Sequence, residues 1–404
     1  MRDAQTIQTK SGRGARRSAP ALALLTLTIA AVTASSAEAI PAFARRYQFS
    51  CSTCHAPVPR LKPFGEAFAA RGFRLEDPSQ EPPRATYDTG DPTLRLLREL
   101  PLAVRLEGYG SFKDDVKATS DVEWPWAAKI LSGGPLHDKI SYYLYFILEK
   151  GGIEGLEDAY LQFNEPLKLP INLVAGQFQV CDPLFKRELR LERFDYEIFK
   201  VKVGASPVAL TYDRGVVASW TLPAGIESVF QLVNGNGIHR ADDEDGFDED
   251  GLKNVSLRFA RTFEKKVRIG LFTYWGRTTG GDAENRTYYV GPDLVVNFSE
   301  RVQLNAQYLE RRDDDPLFAG STGEDWKTRG GFAELLYLPR GQDGPYAIAM
   351  LYNNVKSDDP LARRESVSGT LSYLFARNVR GILEAGRDIA NESGRASIGI
   401  MAAF

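Results

Sequence analysis

The chain has 404 residues, and its 50 Lys and Arg stand against 53 Asp and Glu for a formal charge of −3. That balance offers no electrostatic attraction for nucleic acid, and three cysteines are too few for a disulfide scaffold. Beyond residue 40 no apolar run approaches the ~18 residues of a membrane-crossing helix. Barrel strands stay open, because each carries a far weaker signal.

Residues 1–39 read as an export signal. Arg13, Arg16 and Arg17 form a basic start, Ala19 to Ala34 an apolar core, and Ala37-Glu38-Ala39 a small-x-small cleavage pattern. The Arg16-Arg17 pair raises the twin-arginine route. Ser18-Ala19-Pro20 lacks the hydrophobic residues that usually follow it, so ordinary secretion is expected.

Cys51-Ser-Thr-Cys54-His55 is a C-x-x-C-H motif, read as the attachment site of one covalent haem c. Two thiols three positions apart can each add to one porphyrin vinyl, and the adjacent imidazole of His55 reaches the iron as proximal ligand. A thioredoxin-like dithiol would need a βαβ context, and structural zinc a second ligand pair. A plain disulfide leaves His55 unexplained. Pro57 and Pro59 end the attachment turn, and Leu61, Phe64 and Phe68 follow at helical spacing, with Phe73 closing the segment. Residues 40–76 are too short to enclose a haem alone and must lean on something else. Residues 77–100, with Pro78, Pro82, Pro83 and Gly90, form a linker.

From 101 to 404 the period becomes two. Val302, Leu304, Ala306 and Tyr308 alternate with Gln303, Asn305 and Gln307, and similar runs start at Val267 and Val367. The expected fold is mainly β: a transmembrane antiparallel β-barrel of about 16 strands behind a short α-helical haem segment. Tight turns at Glu264-Lys265-Lys266, Ser299-Glu300-Arg301 and Arg377-Asn378 alternate with polar loops at 179–206, 235–252, 276–286 and 311–328. Short periplasmic turns and long external loops give outer-membrane barrels that asymmetry. The end, Ile398 to Phe404, alternates and closes on an aromatic, and 17 Tyr with 22 Phe suit aromatic girdles. A lumen of that size has room to shelter the haem segment.

The chain resembles the fused outer-membrane monohaem cytochrome c–porins, whose best-known members oxidise iron. The resemblance is carried by Pro41-Ala-Phe43-Ala-Arg45, the Cys51 to His55 motif, Pro59-Arg-Leu61-Lys-Pro-Phe64-Gly65, Phe68 and Gly72-Phe73. The barrel half is similar to phosphate-selective-type porins through Gly176-Gln-Phe178, Tyr212-Asp213-Arg214-Gly215-Val216 and Asn234-Gly-Asn-Gly237. The resemblance implies electron transfer across the outer membrane, with ferrous iron as donor in the iron-oxidising members.

Seven carboxylates at Asp242-Asp-Glu-Asp245 and Asp248-Glu-Asp250 suit hard cations, but read first as a solvated loop tip. Cys181 has no partner in the sequence and reads as a free or packed thiol. The loop from Cys181 to Lys202 either folds inward or caps the barrel mouth. Two distal iron ligands are candidates: His137, in the turn after the second strand, and Met401, which the strand register turns into the lumen. The same register turns Met350 to lipid, and His239 falls in an external loop.

The leading function is a redox conduit served by a periplasmic cytochrome or other soluble electron carrier, with Fe(II) oxidation outside as one form of it. The alternatives are a solute-selective porin with a structural or redox-sensing haem, and a haem peroxidase.

Overall fold

A computed structural model describes residues 42–404 except 83–85, 92, 95, 99–100, 115–118, 153–154, 240–245 and 249; of Leu167 it describes the backbone only. The expected export signal and the carboxylates Asp242 to Asp245 and Glu249 lie outside the described residues. Residues 40–404 form one compact unit, so the N-terminal helical segment and the barrel are not separate bodies.

Sixteen antiparallel strands form a closed barrel. They begin with β1 (Leu102–Lys113), β2 (Ser120–His137), β3 (Ile140–Lys150), β4 (Gly155–Asn164), β5 (Ile171–Gln179), β6 (Tyr212–Leu222), β7 (Ile226–Val233) and β8 (Asn254–Phe263). They continue with β9 (Val267–Gly280), β10 (Ala283–Asn297), β11 (Val302–Asp313), β12 (Trp326–Tyr337), β13 (Tyr346–Ser357), β14 (Arg364–Ala376), β15 (Val379–Asp388) and β16 (Ser393–Ala403). Each strand pairs with its sequence neighbours, and β16 closes on β1 with Arg105 opposite Ala403. No strand edge is left unpaired, as a hydrocarbon environment demands.

The period of two sorts the side chains. Ile269, Leu271, Val290, Tyr308, Met350, Leu371, Leu383 and Ile398 are exposed on the outer face. Glu107, Ser256, Asp293, Asn305, Glu334, Asn353, Thr370 and Glu384 are buried on the inner one. Inside, polar groups pair with one another: Arg258 donates to Asp293 at 2.6 and 3.0 Å, and Thr370 to Glu384 at 2.8 Å. An apolar outside and a polar inside place the barrel in an outer membrane. Among the described residues no helix is long and apolar enough to cross a membrane.

All seven turns at one end are short, and the chain enters β1 and leaves β16 at that same end. It is therefore the periplasmic end. At the other end the expected loop at 276–286 is instead a hairpin. Strands β9 and β10 pair up to Gly280 and Ala283, leaving only Gly281 and Asp282 as the turn. The polar residues that suggested a loop are strand residues outside the bilayer: Thr278, Asn285 and Thr287 are buried on one face, and Arg277 and Arg286 pair with Glu284 on the other.

The connection between β5 and β6 folds inward. It holds the short helix Glu197–Lys200 and is fastened to the wall on both sides of the lumen. On one side Lys129 and Tyr145 each donate to Glu188 at 2.9 Å. Nearby, the Arg193 guanidinium donates to Glu123 at 2.6 Å and lies over the Tyr109 ring. On the other side Tyr196 donates to Glu334 at 2.9 Å and stacks on Phe332 with ring centroids 3.9 Å apart. Arg311 of β11 donates to the carbonyls of Val201 and Val208. Leu184, Phe185, Ile198, Phe199, Val203 and Leu210 then form an apolar core inside the tube with Phe272, Tyr289, Leu309 and Leu351 of the wall. Cys181 is fully buried in that core. It is a packed thiol.

Candidate functional site

The three helices of the haem segment are α1 (Ala42–Tyr47), α2 (Cys51–Cys54) and α3 (Pro63–Ala70). Proline at the first position of α3 starts the helix where its missing N–H costs nothing. Ser50 caps α2 by accepting from the Ser52 N–H. Their common core is aromatic: Tyr47, Phe68 and Phe73 are buried, with Phe43 and Phe49 against them.

That core is docked on the inner wall of β2 to β4. The Phe73 and Tyr143 rings stack at 5.7 Å. Ser141 donates to the Gly72 carbonyl and Gln162 to that of Ala70, both at 2.7 Å. Arg74 donates to the His137 carbonyl, and Lys62 to Asp343 in the β12–β13 turn. The segment thus occupies the periplasmic mouth, and the barrel supplies the surface that it lacks by itself.

The C-x-x-C-H residues stand on one tight unit. Cys51 and Cys54 open and close the single turn of α2, and neither is in a disulfide. The chain then doubles back, with the Ala56 N–H on the Arg60 carbonyl and the Lys62 N–H on that of Cys54. This loop brings the carbonyls of Pro59 and Arg60 to 3.0 and 3.2 Å from His55 Nδ1. A carbonyl only accepts, so Nδ1 carries the proton and Nε2 keeps its lone pair. Burial holds the imidazole below its usual pKa, so it is neutral near pH 7. Burial also pushes both thiols up. A neutral imidazole with its second nitrogen pinned to a carbonyl is the form that ligates a metal.

These side chains share a cleft of about 280 Å³ between the segment and the wall. Cys51, Cys54, His55, Val58, Leu61 and Phe68 line one side, and Arg105, Tyr143, Tyr145, Asp158 and Gln179 the other. Asp182, Lys186 and Glu188, from the start of the inward loop, complete it. A cleft that is apolar on the segment's side and charged on the wall's, with both thiols and a preset imidazole in its lining, would suit a covalently held porphyrin.

Packing at the motif is close. A Cβ built on Gly65 of α3 falls 2.6 Å from the Cys54 carbonyl oxygen. Gly65→Ala therefore forces α3 away from α2, and we expect less covalent haem per chain with barrel content unchanged. Haem stain divided by protein stain measures it, and wild-type loading would show that the contact is dispensable.

The two distal candidates lie outside the cleft lining. His137 ends β2 and is exposed at the periplasmic turn. Met401 is fully buried on the lumen side of β16, where Arg380 approaches its sulfur at 4.0 Å. Val58 of the cleft packs against the cluster that Met401 forms with Tyr109 and Ile382, and Arg74 of the segment reaches the His137 carbonyl. Met350 is exposed on the outer face and His239 lies in the loop after β7, at the far end. Sequence reasoning missed Arg105, Tyr143 and Lys186, which a strand pattern marks only as inward-facing or loop residues.

No family model matches the sequence, and no curated protein does. Solved structures match over three-quarters of the chain. The anion-selective porin from Comamonas acidovorans is 11% identical at a TM-score of 0.54, over 76% of this chain and 99% of that one. The outer membrane channel DcaP of Acinetobacter baumannii is 11% identical at 0.55, over 76% and 97%. Salmonella typhi OmpF, in complex with daunomycin, is 13% identical at 0.53, over 76% and 97%. The fold is that of a porin. At such identities the likeness concerns the barrel's architecture and carries no ligand across.

Proposed function

We propose that this chain is an outer-membrane redox protein, carrying one covalent haem c on Cys51 and Cys54 with His55 as proximal iron ligand, in the periplasmic mouth of a porin-type barrel. The observation that carries the reading is His55: its Nδ1 is held by two carbonyls, and its side chain shares one cleft with both thiols. The group supplies a one-electron couple at iron when bound. The residues of the chain do the rest. Cys51 and Cys54 tether it, His55 sets the field at the metal, and Phe68, Leu61 and Val58 exclude water from one side. Of the distal candidates, Met401 belongs to a buried cluster that Val58 of the cleft touches, and thioether ligation would raise the potential.

A site at the periplasmic mouth is positioned to exchange electrons with a soluble periplasmic cytochrome or similar carrier. The resemblance to cytochrome–porins adds extracellular Fe²⁺ as the donor. A second reading, a solute pore with a structural or sensing haem, draws on the porin fold itself. The inward loop joins opposite walls of the lumen and would narrow such a pore. A peroxidase would need an open sixth position on the iron, and a low-spin spectrum rejects that form.

The test is spectroscopy of whole cells and of the purified chain in detergent. Growth of the reduced haem band on adding external Fe²⁺ to cells, or a reduced periplasmic cytochrome to the pure protein, is the expected result. A haem that neither donor reduces would refute electron transfer.

A further inference from the structure

Arg105 has an unused donor where a haem would need one. A c-type haem brings two propionate carboxylates into the site that holds it, and a carboxylate taken from water requires charge-assisted donors. The segment's side of the cleft offers mainly apolar side chains such as Leu61 and Phe68. Charge comes from the other side: Arg105 on β1, Asp158 on β4, and Asp182, Lys186 and Glu188 in the inward loop. The three acids repel a carboxylate. The Lys186 ammonium is already engaged by Asp182 at 3.4 Å.

Arg105 differs. Its Nη2 is paired with Glu107 at 2.6 Å, but its Nε is buried and has no hydrogen-bond partner. The side chain is 14% exposed, so bulk water does not readily serve that N–H. Glu107 in turn accepts from the Tyr109 hydroxyl at 2.9 Å, which fixes the carboxylate that orients the guanidinium. Arg105 also lies near the start of β1, and the nearby Leu102 carbonyl accepts from Arg45 of α1. Residue and segment are tied to the same point of the wall.

We propose that Arg105 binds a propionate carboxylate of the porphyrin through its Nε–H, with Glu107 as the positioning residue. The inference rests on the haem reading above. A guanidinium there orients the porphyrin rim with its carboxylates toward β1 and away from Asp158 and Asp182. It also stabilises the reduced state, which carries one more negative charge, and so raises the potential.

The test uses the full haem-bearing chain in detergent, with resonance Raman of the propionate-bending band and the midpoint potential as readouts. In Arg105→Gln we expect the band to move and the potential to fall. In Arg105→Lys the band moves and the potential is largely kept, because the charge remains. In Glu107→Gln the band moves by less than in Arg105→Gln, because the donor remains but its orientation is no longer fixed. If Arg105→Gln does not fold, as judged by heat-modifiable gel mobility, Arg105→Lys decides on the band alone. An unmoved band in a haem-loaded Arg105 variant would overturn the proposal. So would a shift in Glu107→Gln as large as that in Arg105→Gln, which would make the pair purely structural. A wild-type chain without covalent haem is a different failure: it overturns the reading of the site itself, and is seen on a stained gel before any Raman measurement.

Discussion

Replacing both Cys51 and Cys54 by alanine is expected to abolish haem staining on denaturing gels while leaving a heat-modifiable barrel. The two thiols are the tether in the proposed site, and a non-covalent porphyrin does not survive denaturation. The barrel does not depend on them: its ladder closes from β1 to β16, and its inner apolar core contains neither residue. Each single variant keeps one thioether and should still stain, at lower yield. Cys181→Ser is the control. That thiol is buried in the loop core and is absent from the cleft lining, so full haem is expected with some loss of stability. A double variant that still stains would remove the attachment site from this motif.

The fold was legible where its signal is local and repeated. Alternation over ten or so residues, as from Val302 to Tyr308, recurs strand after strand and gives both the count of sixteen and the inward face of Met401. Cys51, Cys54 and His55 stand on one tight unit for a similar reason, since they lie within five residues. The β9–β10 hairpin was not legible. Where the strands rise beyond the bilayer, polar residues cover both faces and the alternation that marks a strand disappears. The course of the loop between β5 and β6 stayed open between folding inward and capping the mouth for a different reason. Its charges look like a solvated surface until their partners are known, and those lie as far away as Glu384, which accepts from the Arg193 N–H across 191 positions. Arg105 shows the limit within the site. The sequence marks it only as one charged residue in an early strand. The role proposed for it draws on a buried Nε without an acceptor, which only the folded chain reveals.

In planar bilayers the wild-type barrel is expected to pass little current, and excision of the middle of the inward loop to open it to porin-like conductance. Residues 190–203, replaced by a short Gly-Ser link from Leu189 to Gly204, carry most of the fastenings. They hold Arg193 on Glu123, Tyr196 on Glu334 and Phe332, and the Val201 carbonyl on Arg311. They also hold Ile198, Phe199 and Val203 in the apolar core inside the tube. Asp182, Lys186 and Glu188 stay in place, so the wall of the haem cleft is spared. A lesser change, Arg193→Ala, removes one partner of a buried pair. It strips Glu123 of that donor and Tyr109 of its cation, while Ser111 and Lys113 still reach Glu123. Because the core and the opposite wall still hold the loop, this variant should flicker rather than stay open. A large, steady conductance in the wild type would mean that the loop narrows the lumen without closing it. The solute-pore reading would then have the stronger claim, with any haem at the mouth serving as its sensor.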